Sequence, residues 1–170
     1  VADSLSIHDN YDTESIDFGA LESVGDSFNL NNNRDLATLL IDSLELVGGQ
    51  VYLSSNNNLD TFSAPSLSTV EGNLQFNSNN GIEEVFLDSL TTLDGEFRFE
   101  SNNNVSVVSM PVLTETGSQL YVQYNDNLET LNLSSLVEVG SSLQIQYNYQ
   151  MEHVHLSSLQ TVNGSFQMYS

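Results

Sequence analysis

The chain contains no cysteine, so neither a disulfide frame nor a thiolate metal site can exist in it. Secretion stays open, but the core has to hold without covalent staples. Basic residues are almost as scarce. Arg34 and Arg98 stand alone against 23 Asp plus Glu, for a formal net charge of −21. Such a surface repels nucleic acid and anionic membranes, and neither is an expected partner. It suits high-salt or calcium-rich surroundings, where counterions screen or bridge carboxylates. No run approaches the roughly 20 apolar residues of a membrane-spanning helix, so no membrane insertion is expected. Val1-Ala-Asp-Ser lacks the character of a signal peptide, and the expectation is a chain that begins after processing or as an excised fragment. Helical periodicity is missing too: apolar spacing is two within short runs, broken by Asn, Ser, Gly and two prolines.

What the chain has in abundance is one shape, repeated. Leu120-Tyr-Val-Gln-Tyr-Asn125 alternates two apolar residues with polar ones and closes on an Asn. The same shape opens at Leu5, Phe28, Val51, Leu74, Phe97 and Leu143, always at a spacing of 23, and begins again at Phe166. With the opening residue as place 1 of a 23-place frame, place 3 is Ile7, Leu30, Leu53, Phe76, Phe99, Val122, Ile145 and Met168. Places 1 and 3 share one strand face because side chains alternate along a strand. A second alternating pair falls at places 12 and 14, running from Ile16 and Phe18 to Val154 and Leu156. Place 17 is Leu in every complete turn, from Leu21 to Leu159, and place 20 is mostly Val, as in Val24 and Val139. Glycines such as Gly48, Gly72, Gly95 and Gly140 then mark a corner.

This frame specifies an all-β fold, a parallel β-helix (solenoid) of about seven 23-residue coils without disulfides. It reads as one domain over 1–170, open at both ends, and fits a fragment of a longer array as well. Each coil carries two or three short strands joined by tight corners. Coils stack about 4.8 Å apart with strands in register, which makes a rod of about 35 Å. The apolar residues of one coil cannot offset the ordering entropy of 23 residues, so neighbours must share ladders and burial. Asn10, Asn33, Asn56, Asn79, Asn102, Asn125 and Asn148 form a column at place 6, after the first strand. An amide at such a bend can turn inward and satisfy backbone groups of its own and adjacent coils. A structural ladder is therefore the expectation, ahead of a ligand stripe. Pro65 and Pro111 both fall at place 15, just after the second strand, where a lost N–H is tolerated.

Two phrases carry a family resemblance: Asn132-Leu-Ser-Ser-Leu-Val-Glu-Val-Gly-Ser-Ser-Leu-Gln-Ile145 and Ala64-Pro-Ser-Leu-Ser-Thr-Val-Glu-Gly-Asn-Leu-Gln-Phe76. They resemble the receptor L-domain family, which covers growth-factor-receptor L domains and fungal GPI-anchored cell-wall proteins and is related in shape to leucine-rich repeats. The resemblance spans essentially the whole chain. It implies a right-handed single-stranded β-helix and carries no enzymatic residue set. The sequence departs from the eukaryotic members in having no cysteine and in showing no GPI tail among these residues, so receptor or fungal function is not expected to transfer.

The outward positions of the first strand, places 2 and 4, form the accessible sheet. Its C-terminal turns concentrate Tyr and Gln: Tyr121, Gln123, Tyr124, Gln144, Gln146, Tyr147, Tyr149 and Tyr169. Tyr offers an apolar face with a polar tip, a platform for a glycan or peptide ligand. The plainer reading is a solvent-facing cross-strand ladder. An ice-binding solenoid would show a flat repetitive array, whereas Ser6/His8, Asn29/Asn31 and Arg98/Glu100 are mixed and bulky. On the second strand Leu40, Phe86 and Val107 point outward, candidates for a lateral interface. Place 10 is an acidic column that includes Asp60, Glu83, Glu129 and Glu152, where loosely bound Ca²⁺ would bridge neighbouring carboxylates. His153 and His155 share a strand face but lack a recurrent third ligand. Asn104, Asn132 and Asn163 head glycosylation sequons. No nucleophile elbow, phosphate loop, zinc motif or tight acid–base pair occurs, and neither arginine belongs to a recognisable carboxylate cluster.

The expectation is a non-enzymatic module with a structural or adhesive role, extracellular or at the cell surface, with no bound cofactor. Its first partner is itself or neighbouring repeats, through end-to-end stacking into a filament. Recognition of a glycan or protein ligand by the Tyr/Gln sheet is the alternative, and ice binding the third.

Overall fold

The computed structural model describes residues 3–169; Val1, Ala2 and Ser170, the outermost residues of the 1–170 domain span, lie outside them. The chain is an all-β parallel solenoid of seven 23-residue coils plus the opening strand of an eighth. Three short strands make each coil. In coil 3 they are Val51–Ser54, Thr61–Ser63 and Thr69–Val70, and the other coils repeat these positions. Every paired residue meets the residue 23 places on, as Leu74 meets Phe97 and Leu120 meets Leu143. Among the described residues no helix is long and apolar enough to cross a membrane.

The first strands build an unbroken eight-stranded face and the third strands an unbroken seven-stranded one. The second face is divided. Ser15–Asp17 pairs with Thr38–Leu40, and a separate five-stranded sheet runs from Thr61–Ser63 to His153–His155. Between coils 2 and 3, Ile41 N–H makes no counterpart of the 3.2 Å bond from Ala64 N–H to the Phe86 carbonyl. Phe62 accounts for the division. It is the one aromatic residue at place 12, and its ring meets Phe76 edge-on at 5.0 Å. It therefore leans toward coil 4, away from Leu39 of coil 2, and a cleft of about 310 Å³ opens beside Thr38, Leu40, Asp60 and Thr61.

Inside, the columns at places 1, 3, 12, 14, 17 and 20 form one continuous core. Coils 3 to 5 add an aromatic stack, with Phe76 5.4 Å from Phe99 and Phe99 6.1 Å from Phe97. A seventh column escapes a search for alternation: Leu36, Leu59, Ile82, Val105 and Leu128 at place 9 are all fully buried. Each is a lone apolar residue in a polar stretch. It is turned inward by a bond from its own N–H to the carbonyl of the place-6 Asn, as from Leu128 to Asn125 at 3.1 Å.

The three corners have separate causes. The first reverses at place 5, where Asp9, Asn32, Ser55, Ser78, Ser101, Tyr124 and Tyr147 all have φ between 54° and 59°. Among the described residues no glycine has positive φ; this left-handed position is filled by ordinary side chains. The second corner is a β-turn closed by the place-17 N–H on the place-14 carbonyl, 3.1 Å from Leu67 to Ala64. Pro65 and Pro111 stand one residue into that turn, where a fixed φ near −65° is favourable. The third corner needs glycine for closeness, since a Cβ on Gly72 would stand 2.7 Å from the carbonyl carbon of Gly49 one coil below.

Candidate functional site

The place-6 asparagines lie inside the first corner, wholly or almost wholly buried from Asn33 to Asn148. Asn56 shows the pattern. Its backbone N–H and its Nδ2 both donate to Oδ1 of Asn79 at 3.1 Å, and Nδ2 also donates to the Leu30 carbonyl at 2.8 Å. The same bonds run from Asn102 to Asn125 and from Asn125 to Asn148. From Asn33 to Asn125 each amide spends its donors and its acceptor on the stack, so these five offer no free group to a ligand. Asn10, in the first coil, is exposed.

A second ladder lies one residue outward, and its signal in the sequence is Asn at place 7 in three consecutive coils. Asn80 N–H donates to Oδ1 of Asn57 at 3.1 Å, and Asn103 N–H to Oδ1 of Asn80 at 3.2 Å. These side chains are exposed, and their amide NH₂ groups remain free for solvent or ligand.

The Tyr/Gln patch divides in two. On the flat of the first face, Tyr121 donates to Gln119 Oε1, and the guanidinium of Arg98 sits 4.7 Å from the Tyr121 ring centre. Gln146 is nearly buried and donates to Gln167 Oε1 at 2.8 Å. Gln123 and Gln144 are half-buried in the same strands. At the corner Tyr124 and Tyr149 stand clear, and Tyr147 is half-buried between neighbours. Tyr124 and Tyr147 stack almost parallel at 4.8 Å, and the Tyr169 ring meets Tyr147 edge-on at 5.4 Å. Tyr124 is 45% exposed and Tyr149 66%. Hydrogen bonding with Tyr147, and then loss of solvent, raises the Tyr169 hydroxyl above the usual tyrosine range.

Arg98 corrects a sequence expectation, because it does sit among carboxylates. Its guanidinium bonds Glu96 at 3.1 Å and Glu100 at 3.3 Å. Spacing by two puts all three on one strand face. The Glu96 bond, foremost, holds the arginine above its already high pKa. Gln75 also donates to Glu96, so this cluster saturates itself.

The lateral candidates separate. Leu40, 40% exposed, lines the cleft between coils 2 and 3, whereas Phe86 and Val107 lie half-buried beyond it. Ser63 stands between Leu40 and Phe86 in register. The acidic column at Asp60, Glu83, Glu129 and Glu152 faces solvent, and among the described residues no three His, Cys, Asp or Glu side chains converge on a metal position. The rings of His153 and His155 stack 6.1 Å apart. Asn104 and Asn163 of the sequons are exposed, and Asn132 is half-buried.

No family model, curated protein or solved structure matches the chain. The β-solenoid is thus established by the fold itself, and the likeness to receptor L domains rests on the two sequence phrases.

Proposed function

We propose that this solenoid is a non-enzymatic structural and adhesive module, extracellular or cell-surface, whose copies stack end to end. One observation carries the reading. The last described rung is apolar and open, with Phe166 and Met168 more than half exposed in the places that Leu143 and Ile145 fill as core. At the other end Leu5, Ile7, Ile16, Phe18 and Leu21 are only partly covered. Both ends keep the 23-residue register, so a coil of a second copy fits there. Stacking of this kind is heterologous and grows into a filament. The receptor L-domain phrases support a non-enzymatic repeat of the same kind.

Charge opposes association between copies. A net charge of −21 on each rod has to be screened, so assembly is favoured by salt or by loosely held Ca²⁺. Light scattering of the 1–170 polypeptide across concentration, NaCl and CaCl₂ tests this. Its mass is expected to grow with concentration and ionic strength, and Phe166→Lys with Met168→Lys to keep it monomeric. A single mass equal to one chain under every condition would overturn stacking between copies.

A further inference from the structure

We propose that the first corner, where coil 5 meets coil 6, is a binding site for a neutral carbohydrate. The observation is a change of side chain along one edge of the rod. At place 5, coils 3 to 5 carry Ser55, Ser78 and Ser101, and coils 6 and 7 carry Tyr124 and Tyr147. One face of the Tyr124 ring is covered by Tyr147, 4.8 Å away and 7° from parallel. The opposite face looks along the rod toward Ser101, too small to cover it. An aromatic wall therefore rises from a polar ledge. Beside the ledge run Asn80 and Asn103, exposed residues whose backbone N–H groups bond the Oδ1 of the neighbour below and whose NH₂ groups make no hydrogen bond.

The backbone adds a reason to look at this spot. Tyr124 has φ of 56°, a conformation that a bulky side chain adopts at a cost and that Asn, Asp or Gly takes more easily. Stacking on Tyr147 offsets part of that cost and holds the ring rigid.

The groups on display select the ligand class. A sugar ring presents an apolar C–H face to an aromatic plane and hydroxyls around its rim. The plane is Tyr124; the rim partners are the Ser101 hydroxyl and the Asn103 and Asn80 amides, each able to donate to and accept from a hydroxyl. Asp126 stands beside the ledge, Glu100 is already paired with Arg98, and the whole chain is strongly negative, so uronates and sulfated sugars are repelled. Peptide addition to a strand edge does not fit, because the first-face strands on both sides of this corner are already paired, Phe97–Glu100 with Leu120–Gln123. A proline-rich peptide needs a groove between aromatic faces, and the Tyr124–Tyr147 stack leaves one face free at this point. The site lies mid-rod, so its success or failure is independent of end-to-end stacking.

The chain has seven tyrosines and no tryptophan, so its intrinsic fluorescence reports on tyrosine alone. The test titrates the 1–170 polypeptide with neutral hexamers of glucose, mannose, galactose, xylose and N-acetylglucosamine, beside a uronate hexamer and a proline-rich peptide. Fluorescence and side-chain amide NMR are read together. At least one neutral hexamer is expected to bind and to shift the Asn103 amide. Tyr124→Ser restores the side chain that coils 3 to 5 already carry there, so it keeps the fold. It should weaken binding about tenfold. Ser101→Tyr extends the stack by one ring and moves the free face down one coil. The perturbed amide should then change from Asn103 to Asn80. The proposal fails if no neutral hexamer binds up to about 10 mM. It fails equally if binding ignores Tyr124→Ser, or if only the uronate or the proline-rich peptide binds.

Discussion

The first and second faces of the rod obey the same 23-residue period, yet one runs unbroken through eight strands and the other is split into two and five. Both have apolar inward columns and both end in a tight corner. The difference lies in what fixes the distance between coils. Beside the first face the buried Asn stack ties each coil to the next through side-chain and backbone bonds of fixed length. The second face has no such ladder, so the volume of one side chain is enough to part the strands. Phe62 turns its ring onto Phe76 of coil 4, and no strand bond joins its coil to coil 2 on this face. A polar ladder inside an apolar core thus acts as a ruler, and where it is missing, packing sets the spacing.

The strongest way to break this comparison is to remove one step of the ruler. Asn79→Ala strips Asn56 N–H and Nδ2 of their acceptor and the Leu53 carbonyl of its donor. With each orphaned buried group costing about 1–3 kcal/mol, the loss should be about 4 kcal/mol, read from denaturant unfolding. A loss below about 1 kcal/mol would show that the ladder is not what holds the first face.

A smaller effect is expected on the second face. Glu83 N–H is bonded to the Asp60 carbonyl at 2.8 Å, whereas Asp60 N–H has no such partner in coil 2. Amide exchange at Asp60 should therefore be much faster than at Glu83. Phe62→Leu should slow it by letting coils 2 and 3 pair, at a packing cost of about 1 kcal/mol. Equal exchange at Asp60 and Glu83 would remove the division of this face.

The least effect concerns the outside of the first face. The raised Tyr169 hydroxyl favours the protonated form in the folded chain. Its contribution is therefore complete below the ordinary tyrosine pKa of about 10 and disappears as pH climbs through the raised value. Phenolate absorbance should show one tyrosine ionising late, and Tyr169→Phe should delete that component. A single common titration of all seven would contradict the contact with Tyr147.

Much of the architecture was legible because a solenoid writes its period into the chain. The Leu column from Leu21 to Leu159 and the Asn column recur without an insertion, so strand register followed from counting. Place 9 was not legible, since a lone Leu36 or Ile82 between polar neighbours has no alternation to betray it. Nor were the left-handed residues at place 5, where Ser and Tyr stand in a conformation that composition assigns to Gly or Asn. The Tyr/Gln cluster was visible as a composition, but its division was not. Tyr121 lies under Arg98 and Gln146 is nearly buried, while Tyr124 keeps a free face. Such outcomes depend on which side chain stands one coil away, and the frame locates that neighbour without saying which way either one leans.

Sequence alone therefore determined the coil, its period, its parallel register and the inward columns, because each follows from alternation and repetition along a single strand of chain. Tertiary structure decided where the repetition fails. The break at Phe62 and the open face of Tyr124 arise between coils, where side-chain volume and stacking have no period to obey.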